Sequence, residues 1–359
     1  MTVQPGRVYL VTGGCGFLGQ HLVRLLVEKE ETVSEVRLFD LHVDPSLEQL
    51  GTERVKIRLI QGDITDYPTV RDALQGVHLV IHSASLVDVW YRIPEETIRA
   101  VNVHGTENVL RACEELGVQY LVYTSSMEVV GPNVKGDHFY RGDEDTEYNV
   151  FHDMAYPKSK AEAERLVLNA NGKQISGEKV LYTCALRPTG IYGENHQLMK
   201  DFYNRGMKTG GWILRGIPEH IEHGRVYAGN VAWMHLLACR SLQERPLLLG
   251  GQVYFCYDES PYKSYEDFNM QFLSGFGFRE VRIPMWLLWA AAMTNDLLHT
   301  LLRPLCSYSP LLNRYTLAVA STTFTVSTDK ARRHFGYQPL YSWEESRCRT
   351  LAWVQTFRE

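Results

Sequence analysis

The segment Tyr156-Pro157-Lys158-Ser159-Lys160 sets a phenol and an ammonium four residues apart, and on a helix that spacing puts both on one face. A free tyrosine titrates near ~10, too high for a base at neutral pH, and a neighbouring positive charge favours the phenolate and lowers that value. Tyr156 is therefore read as a general base and Lys160 as the cation beside it. Upstream stands Thr124-Ser125-Ser126-Met127-Glu128, where the Ser126 hydroxyl can hydrogen-bond the same substrate oxygen and stabilise charge as it develops. Pro157 is tolerable in a first helical turn, where a missing N–H costs least. A Tyr-x-x-x-Lys string alone is common; what gives it weight is the company it keeps.

That company is a glycine-rich turn, Thr12-Gly13-Gly14-Cys15-Gly16-Phe17-Leu18-Gly19, between an apolar run and an amphipathic pattern carried by Leu18, Leu22, Leu25 and Leu26. Glycines allow a tight turn and close backbone approach, so the N–H groups opening the helix can meet a pyrophosphate. Asp40 ends the next apolar run, at the distance where a carboxylate accepts from the adenosine ribose hydroxyls of a dinucleotide. Leu41 follows it, with no arginine to accept a 2′-phosphate, so NAD is favoured over NADP. Gly62-Asp63-Ile64 closes a third run, where a carboxylate and the adjacent amide can read the adenine edge. The candidate cofactor-binding set is thus Gly13, Gly14, Gly16, Phe17, Leu18, Gly19, Asp40, Asp63 and Ile64, together with Tyr156 and Lys160.

Placing these groups requires strands alternating with helices. Short β-branched or aromatic runs at 8–12, 36–40, 55–60, 79–82 and 120–124, continued by 181–186 and 252–257, predict right-handed βαβ units and a doubly wound, Rossmann-type parallel sheet. Residues 1–190 form the NAD-binding core, with 224–258 returning to it. A smaller C-terminal substrate lobe takes 191–223 and 259–359, and 192–224 shows no sustained period. The stretch 283–312 is strongly apolar but interrupted by Asn295, Asp296, His299 and Arg303, whereas a clean span needs ~20 consecutive apolar residues. It reads either as a buried helical hairpin or as a membrane-associated segment anchored by Trp286 and Trp289.

A formal net charge of -5 gives no field that would attract nucleic acid. The 7 cysteines are odd in number and unpaired in spacing, which reads as reduced thiols. No metal site is expected: His78 and His82 share a strand, where a spacing of four defines no metal face, and His220 and His223 lack nearby ligands at metal spacing. The N-terminus shows no cleavable signal pattern. With no Asn-x-Ser/Thr acceptor in the chain, a catalytic body facing the cytosol is expected.

With these motifs the chain resembles the extended short-chain dehydrogenases, and specifically the 3β-hydroxysteroid dehydrogenase/5-ene-4-ene isomerase family. The strings IHSASLVDVW, NVHGTENVLRAC, YTSSMEVVGPN, LRPTGIYGE, GRVYAGNVAWMHLLA and TFTVSTDKARRHFGYQPLYSWEES carry that resemblance over nearly the whole length. It implies Tyr156 and Lys160 as the catalytic pair, Ser126 as the hydroxyl partner, and Pro188 with Thr189 lining the nicotinamide. It further implies an endoplasmic-reticulum membrane enzyme that contacts lipid, and an oligomer of identical chains is possible. The expected reaction is oxidation of 7α-hydroxylated twenty-seven-carbon 5-ene sterols, such as 7α-hydroxycholesterol, to the 4-ene-3-one in bile-acid synthesis. A decarboxylating sterol-4-carboxylate 3-dehydrogenase would use the same chemistry, and a non-catalytic NAD-binding scaffold would not need Ser126, Tyr156 and Lys160 intact. A nucleotide-sugar epimerase fits less well, given the aromatic and aliphatic side chains of the lobe. One departure stands out. Hormone-forming members carry a Tyr and a Lys in the segment that here reads SYEDFNMQFLSGFG, at the positions of Met270 and Ser274, so the residues serving isomerisation are left unassigned.

Overall fold

A computed structural model describes residues 6–132, 135–303 and 305–358. Seven strands form the main sheet: β1 (Arg7–Thr12), β2 (Val33–Asp40), β3 (Lys56–Gln61), β4 (Leu79–His82), β5 (Tyr120–Thr124), β6 (Tyr182–Pro188) and β7 (Val253–Cys256). They lie in the order β7-β6-β5-β4-β1-β2-β3, every pair parallel. This is the expected doubly wound arrangement, and strand order reverses at β1, between β2 and β4. A ligand crevice opens at such a reversal, beyond the carboxyl ends of the strands.

The strands read as near-continuous apolar runs because helices cover both faces of the sheet. On one face Leu22, Leu25 and Leu26 of the helix Phe17–Lys29 pack with Met234, Leu236 and Cys239 of the helix Ala228–Glu244. On the other, Val109 and Cys113 meet Ala163 and Val167 of the helix Ala155–Ala170. The helix Ala155–Ala170 carries the candidate acid–base pair, so its packing fixes where that pair sits.

The lobe beyond the sheet has its own aromatic cluster, built from Tyr192, Met199, Tyr227, Phe268 and Phe272 with Trp343 and Phe276 against them. Here the sequence reading needs correction. The stretch without sustained period contains a helix, Gln197–Lys208, and a strand, Trp212–Arg215. Gly206 obscured the helical pattern. It is present because a Cβ there would lie 2.8 Å from the Phe278 ring.

The apolar stretch is not a hairpin either. It forms a single helix, Met285–Leu302. Met285, Leu288, Trp289 and Ala292 pack inward on Ile217, Ile221 and Leu317. The polar residues that interrupt the stretch are engaged by the chain that follows: Asn295 Nδ2 donates to the Leu312 carbonyl (2.8 Å), Tyr308 donates to Asn295 Oδ1 (2.7 Å), and Asp296 accepts from Arg314 Nε (2.8 Å). His299 stacks on Tyr91 at 4.2 Å. Opposite them Trp286, Met293, Leu297 and Leu301 are exposed on one side of the helix, with Leu305 just beyond it. No helix among the described residues is long and apolar enough to cross a membrane.

Candidate active site

At the carboxyl end of β1 the glycine-rich turn passes into the helix Phe17–Lys29. Gly13 adopts φ +68°, and a Cβ there would lie 2.9 Å from the Ala84 backbone. At Gly19 a Cβ would come within 2.1 Å of the Gly13 carbonyl oxygen. No side chain fits at either position, so the turn closes only with glycine, which leaves the backbone bare toward a ligand. Asp40, at the end of β2, accepts from Cys15 N–H (3.0 Å) and His42 N–H (3.2 Å), which ties the carboxylate to the turn itself. Asp63 is exposed and accepts from Thr65 N–H and Oγ1 at 2.8 Å, while Ile64 is buried under Gly105. Pro188 ends β6 beside Cys256, and Thr189 N–H donates to the Cys256 carbonyl (3.1 Å). These groups lie at the carboxyl ends of the strands, where a dinucleotide binds in a sheet of this order.

One test of Asp40 follows directly. Asp40→Ala with Leu41→Arg removes a repulsive carboxylate and supplies a phosphate partner, so the NAD/NADP preference is expected to move toward NADP by about tenfold or more. Steady-state kinetics with both cofactors measure it, and unchanged selectivity would remove Asp40 from the ribose contact.

Tyr156 lies in the first turn of the helix Ala155–Ala170, buried with Ser126 beside it. Burial first, and the charge of Glu128 second, push its phenol above the ordinary 10.0, while the Ser126 side chain works the other way. Lys160, one helical turn on, is 2% exposed. Its Nζ donates to Tyr123 Oη (3.0 Å) and to the Thr124 carbonyl (2.6 Å), so its hydrogen bonds run to β5 and not to Tyr156. Burial pulls the ammonium down to about 7 against the attraction of Glu164. A positive charge brought beside Tyr156 would lower the phenol, opposing what the surrounding protein does.

Several polar residues that position this pair give no local sequence signal. Glu164 accepts from Ser125 Oγ (2.6 Å), Arg187 Nε (2.9 Å) and Arg187 Nη2 (2.6 Å), a forked buried pair that pins the helix to the ends of β5 and β6. Asn102 sits in a π-turn, Ala100–His104. It donates to Ser159 Oγ and the Leu86 carbonyl, both at 2.9 Å, joining the same helix to the loop after β4. His82 is buried between Thr12 Oγ1 (2.7 Å) and Thr106 Oγ1 (2.9 Å), and burial drives it down to about 3. Its role is structural. Among the described residues no three His, Cys, Asp or Glu gather as a metal site.

The 3-beta hydroxysteroid dehydrogenase/isomerase family profile matches residues 10–286. The chain belongs to that family. It is 61% identical to human 3 beta-hydroxysteroid dehydrogenase type 7 over 352 residues, covering 97% of this chain and 95% of that protein. The 3 beta-hydroxysteroid dehydrogenase/Delta 5-->4-isomerase of vaccinia virus strain Ankara is 45% identical, with 97% and 99% covered. Among solved structures, a UDP-glucose-4-epimerase from Stenotrophomonas maltophila superimposes with TM-score 0.73 at 19% identity, covering 99% of each chain. That likeness shows the fold alone. As a 3β-hydroxysteroid dehydrogenase family member the chain is an oxidoreductase, and its Ser126, Tyr156 and Lys160 all lie by the carboxyl end of β5.

Proposed function

We propose that this protein oxidises the 3β-hydroxyl of 7α-hydroxylated 5-ene sterols with NAD and isomerises the product to the 4-ene-3-one, the chemistry bile-acid synthesis requires. The observation that carries the dehydrogenase half is the joint burial of Tyr156, Ser126 and Lys160 at the carboxyl end of β5. Gly13, Gly14, Gly16 and Gly19 leave room for the pyrophosphate, and Asp40 holds the adenosine ribose and disfavours a 2′-phosphate. A nicotinamide held there would supply the acceptor for the hydride leaving sterol carbon 3. Tyr156 takes the hydroxyl proton, and Ser126 donates to the oxygen as it becomes a carbonyl. Lys160, held by Tyr123 and Thr124, places its amine one helical turn from Tyr156, where its charged form favours the phenolate.

One feature favours a hydroxylated sterol. Arg225 is 4% exposed, stacked on Tyr265 (5.0 Å) and Phe268 (5.1 Å), and its Nε has no acceptor among the described residues. It packs against Gly190, next to Thr189, and a second substrate hydroxyl would satisfy it. An analogue lacking that hydroxyl forfeits ~1–3 kcal/mol. The outer side of the helix Met285–Leu302 rests on a lipid surface in this reading, on the endoplasmic-reticulum membrane with the catalytic body toward the cytosol.

Competition at equal concentration between 7α-hydroxycholesterol, cholesterol, pregnenolone and a 4-carboxysterol, with products resolved by mass, tests the substrate. The 7α-hydroxylated sterol is expected to lead in kcat/KM by about tenfold or more over cholesterol. Equal or better turnover of pregnenolone would overturn the substrate assignment, and preferential decarboxylation of the 4-carboxysterol would replace it.

A further inference from the structure

Arg225 is a deeply buried cation that meets no carboxylate. The other arginines buried to a similar degree each do: Arg37 pairs with Glu35, Arg187 with Glu164, and Arg215 with Asp267 and Glu280. Among the described residues the Arg225 side chain makes no ion pair, and its Nε has no acceptor. The groups whose charge acts on it are the phenols Tyr265 and Tyr192, which burial keeps protonated. His196 and His223 feel it in turn: burial first draws them down to about 3 and about 4, and the Arg225 charge acts the same way. The ring faces of Tyr265 and Phe268 ease its burial but carry no net charge. An unneutralised cation in a protein interior is costly to keep.

Its position gives that charge a use. A sterol oxygen served by Tyr156 and Ser126 lies at the end of β5, and β6 runs beside it, with Thr124 paired to Leu186 and Ser125 N–H donating to the Leu186 carbonyl (2.7 Å). Thr189 and Gly190 follow directly on β6, and Gly190 pairs with Arg225. A Cβ on Gly190 would lie 3.1 to 3.3 Å from Arg225 Cδ, Nη1 and Nε, so the guanidinium rests on the bare glycine. Tyr265 ties the cation to the same region: Arg225 lies over its ring, and Glu128, whose charge acts on Tyr156, acts on Tyr265 as well. A nicotinamide lined by Pro188 and Thr189 is therefore one residue away along the chain from the glycine that carries this charge.

We propose that Arg225 sets the redox poise of the bound cofactor, weakening oxidised NAD relative to NADH and so drawing hydride out of the sterol, an inference that rests on the NAD reading above. The C3–H bond breaks with its electron pair passing to the nicotinamide, the hydroxyl proton goes to Tyr156, the sterol is oxidised and the cofactor reduced. The positive charge of the oxidised ring is lost in that step, which relieves its repulsion from Arg225. A substrate hydroxyl meeting Nε satisfies a donor and leaves the charge in place, so the two roles are compatible. At separations of ~10 Å and an effective dielectric of ~20, one unit charge changes a binding constant about tenfold.

The test measures Kd for oxidised NAD and for NADH on the folded protein by quenching of tryptophan fluorescence, with ADP-ribose as a reference that lacks the ring. Arg225→Met removes the charge and keeps an apolar stem between Tyr265 and Phe268, whereas Arg225→Lys keeps the charge. In Arg225→Met the ratio of the NAD Kd to the NADH Kd is expected to fall about tenfold while the ADP-ribose Kd holds, and Arg225→Lys is expected to keep the ratio within about twofold. An undiminished ratio in Arg225→Met, or an equal fall in both variants, would overturn the role. A further measurement needs no variant, and so stands even if Arg225→Met misfolds: the unaltered protein is expected to bind NADH more tightly than NAD, and equal or tighter binding of NAD would exclude the proposal. Unaltered protein that binds neither form would refute the NAD reading itself.

Discussion

Tyr156→Phe is expected to lower hydride transfer by about 10³-fold, the scale of a positioned acid–base group, while NAD binding, which depends on the turn at β1, changes little. The substitution removes one oxygen and leaves the ring packing, so misfolding is not the expected cause. Burial and Glu128 hold the phenol up, so the phenolate is the scarce form near neutrality and the oxidation rate of the unaltered protein rises with pH. That rise is expected to vanish in Tyr156→Phe. Lys160→Met, which keeps the aliphatic stem but strips two donors from Tyr123 and the Thr124 carbonyl, is expected to act in the same direction. Stopped-flow NADH formation and cofactor titration measure both quantities. Near wild-type turnover in Tyr156→Phe would remove the assignment.

The second large effect concerns the exposed side of the helix Met285–Leu302. Trp286, Leu297 and Leu301 are 69%, 59% and 61% exposed, and they share that side with Met293. On a lipid surface each such side chain contributes about 2 kcal/mol, so together three contribute about 6 kcal/mol, a factor above 10⁴ in partitioning. The triple change Trp286→Glu, Leu297→Glu, Leu301→Glu touches none of the inward contacts to Ile217, Ile221 and Leu317. It is expected to move the folded protein from the carbonate-washed membrane pellet to the supernatant. Full retention in the pellet with the fold intact would show that the anchor lies elsewhere.

Much of this was readable in the sequence, because the relevant physics is local. Runs such as 79–82 and 120–124 were read to the residue as β4 and β5, since β-branched side chains buried on both faces leave little ambiguity. The glycine turn and the Tyr156/Lys160 spacing belong to one turn and one helix. Side-chain pairings across long separations were not readable. Nothing near Glu128 announces Tyr315, and nothing near Asn102 announces Ser159. The helix Gln197–Lys208 was hidden because Gly206, which weakens a helical pattern, is required by the Phe278 ring. Likewise Asn295, Asp296 and His299 looked like interruptions of an apolar stretch until Tyr308, Leu312, Arg314 and Tyr91 supplied their partners.

The forked contact between Arg187 and Glu164 bears on how inherited or engineered variation in this chain should be interpreted. Arginine fits both carboxylate oxygens at once because its guanidinium is planar, a geometry that a lysine ammonium cannot reproduce. The ordinarily conservative exchange of Arg for Lys at 187 would therefore leave Glu164, and with it Ser125 and the whole Tyr156 helix, less firmly registered against the sheet. A ranking of variants by charge class and distance from the substrate would count that exchange as benign. Shared hydrogen bonds with the reacting helix are the better guide to tolerance here.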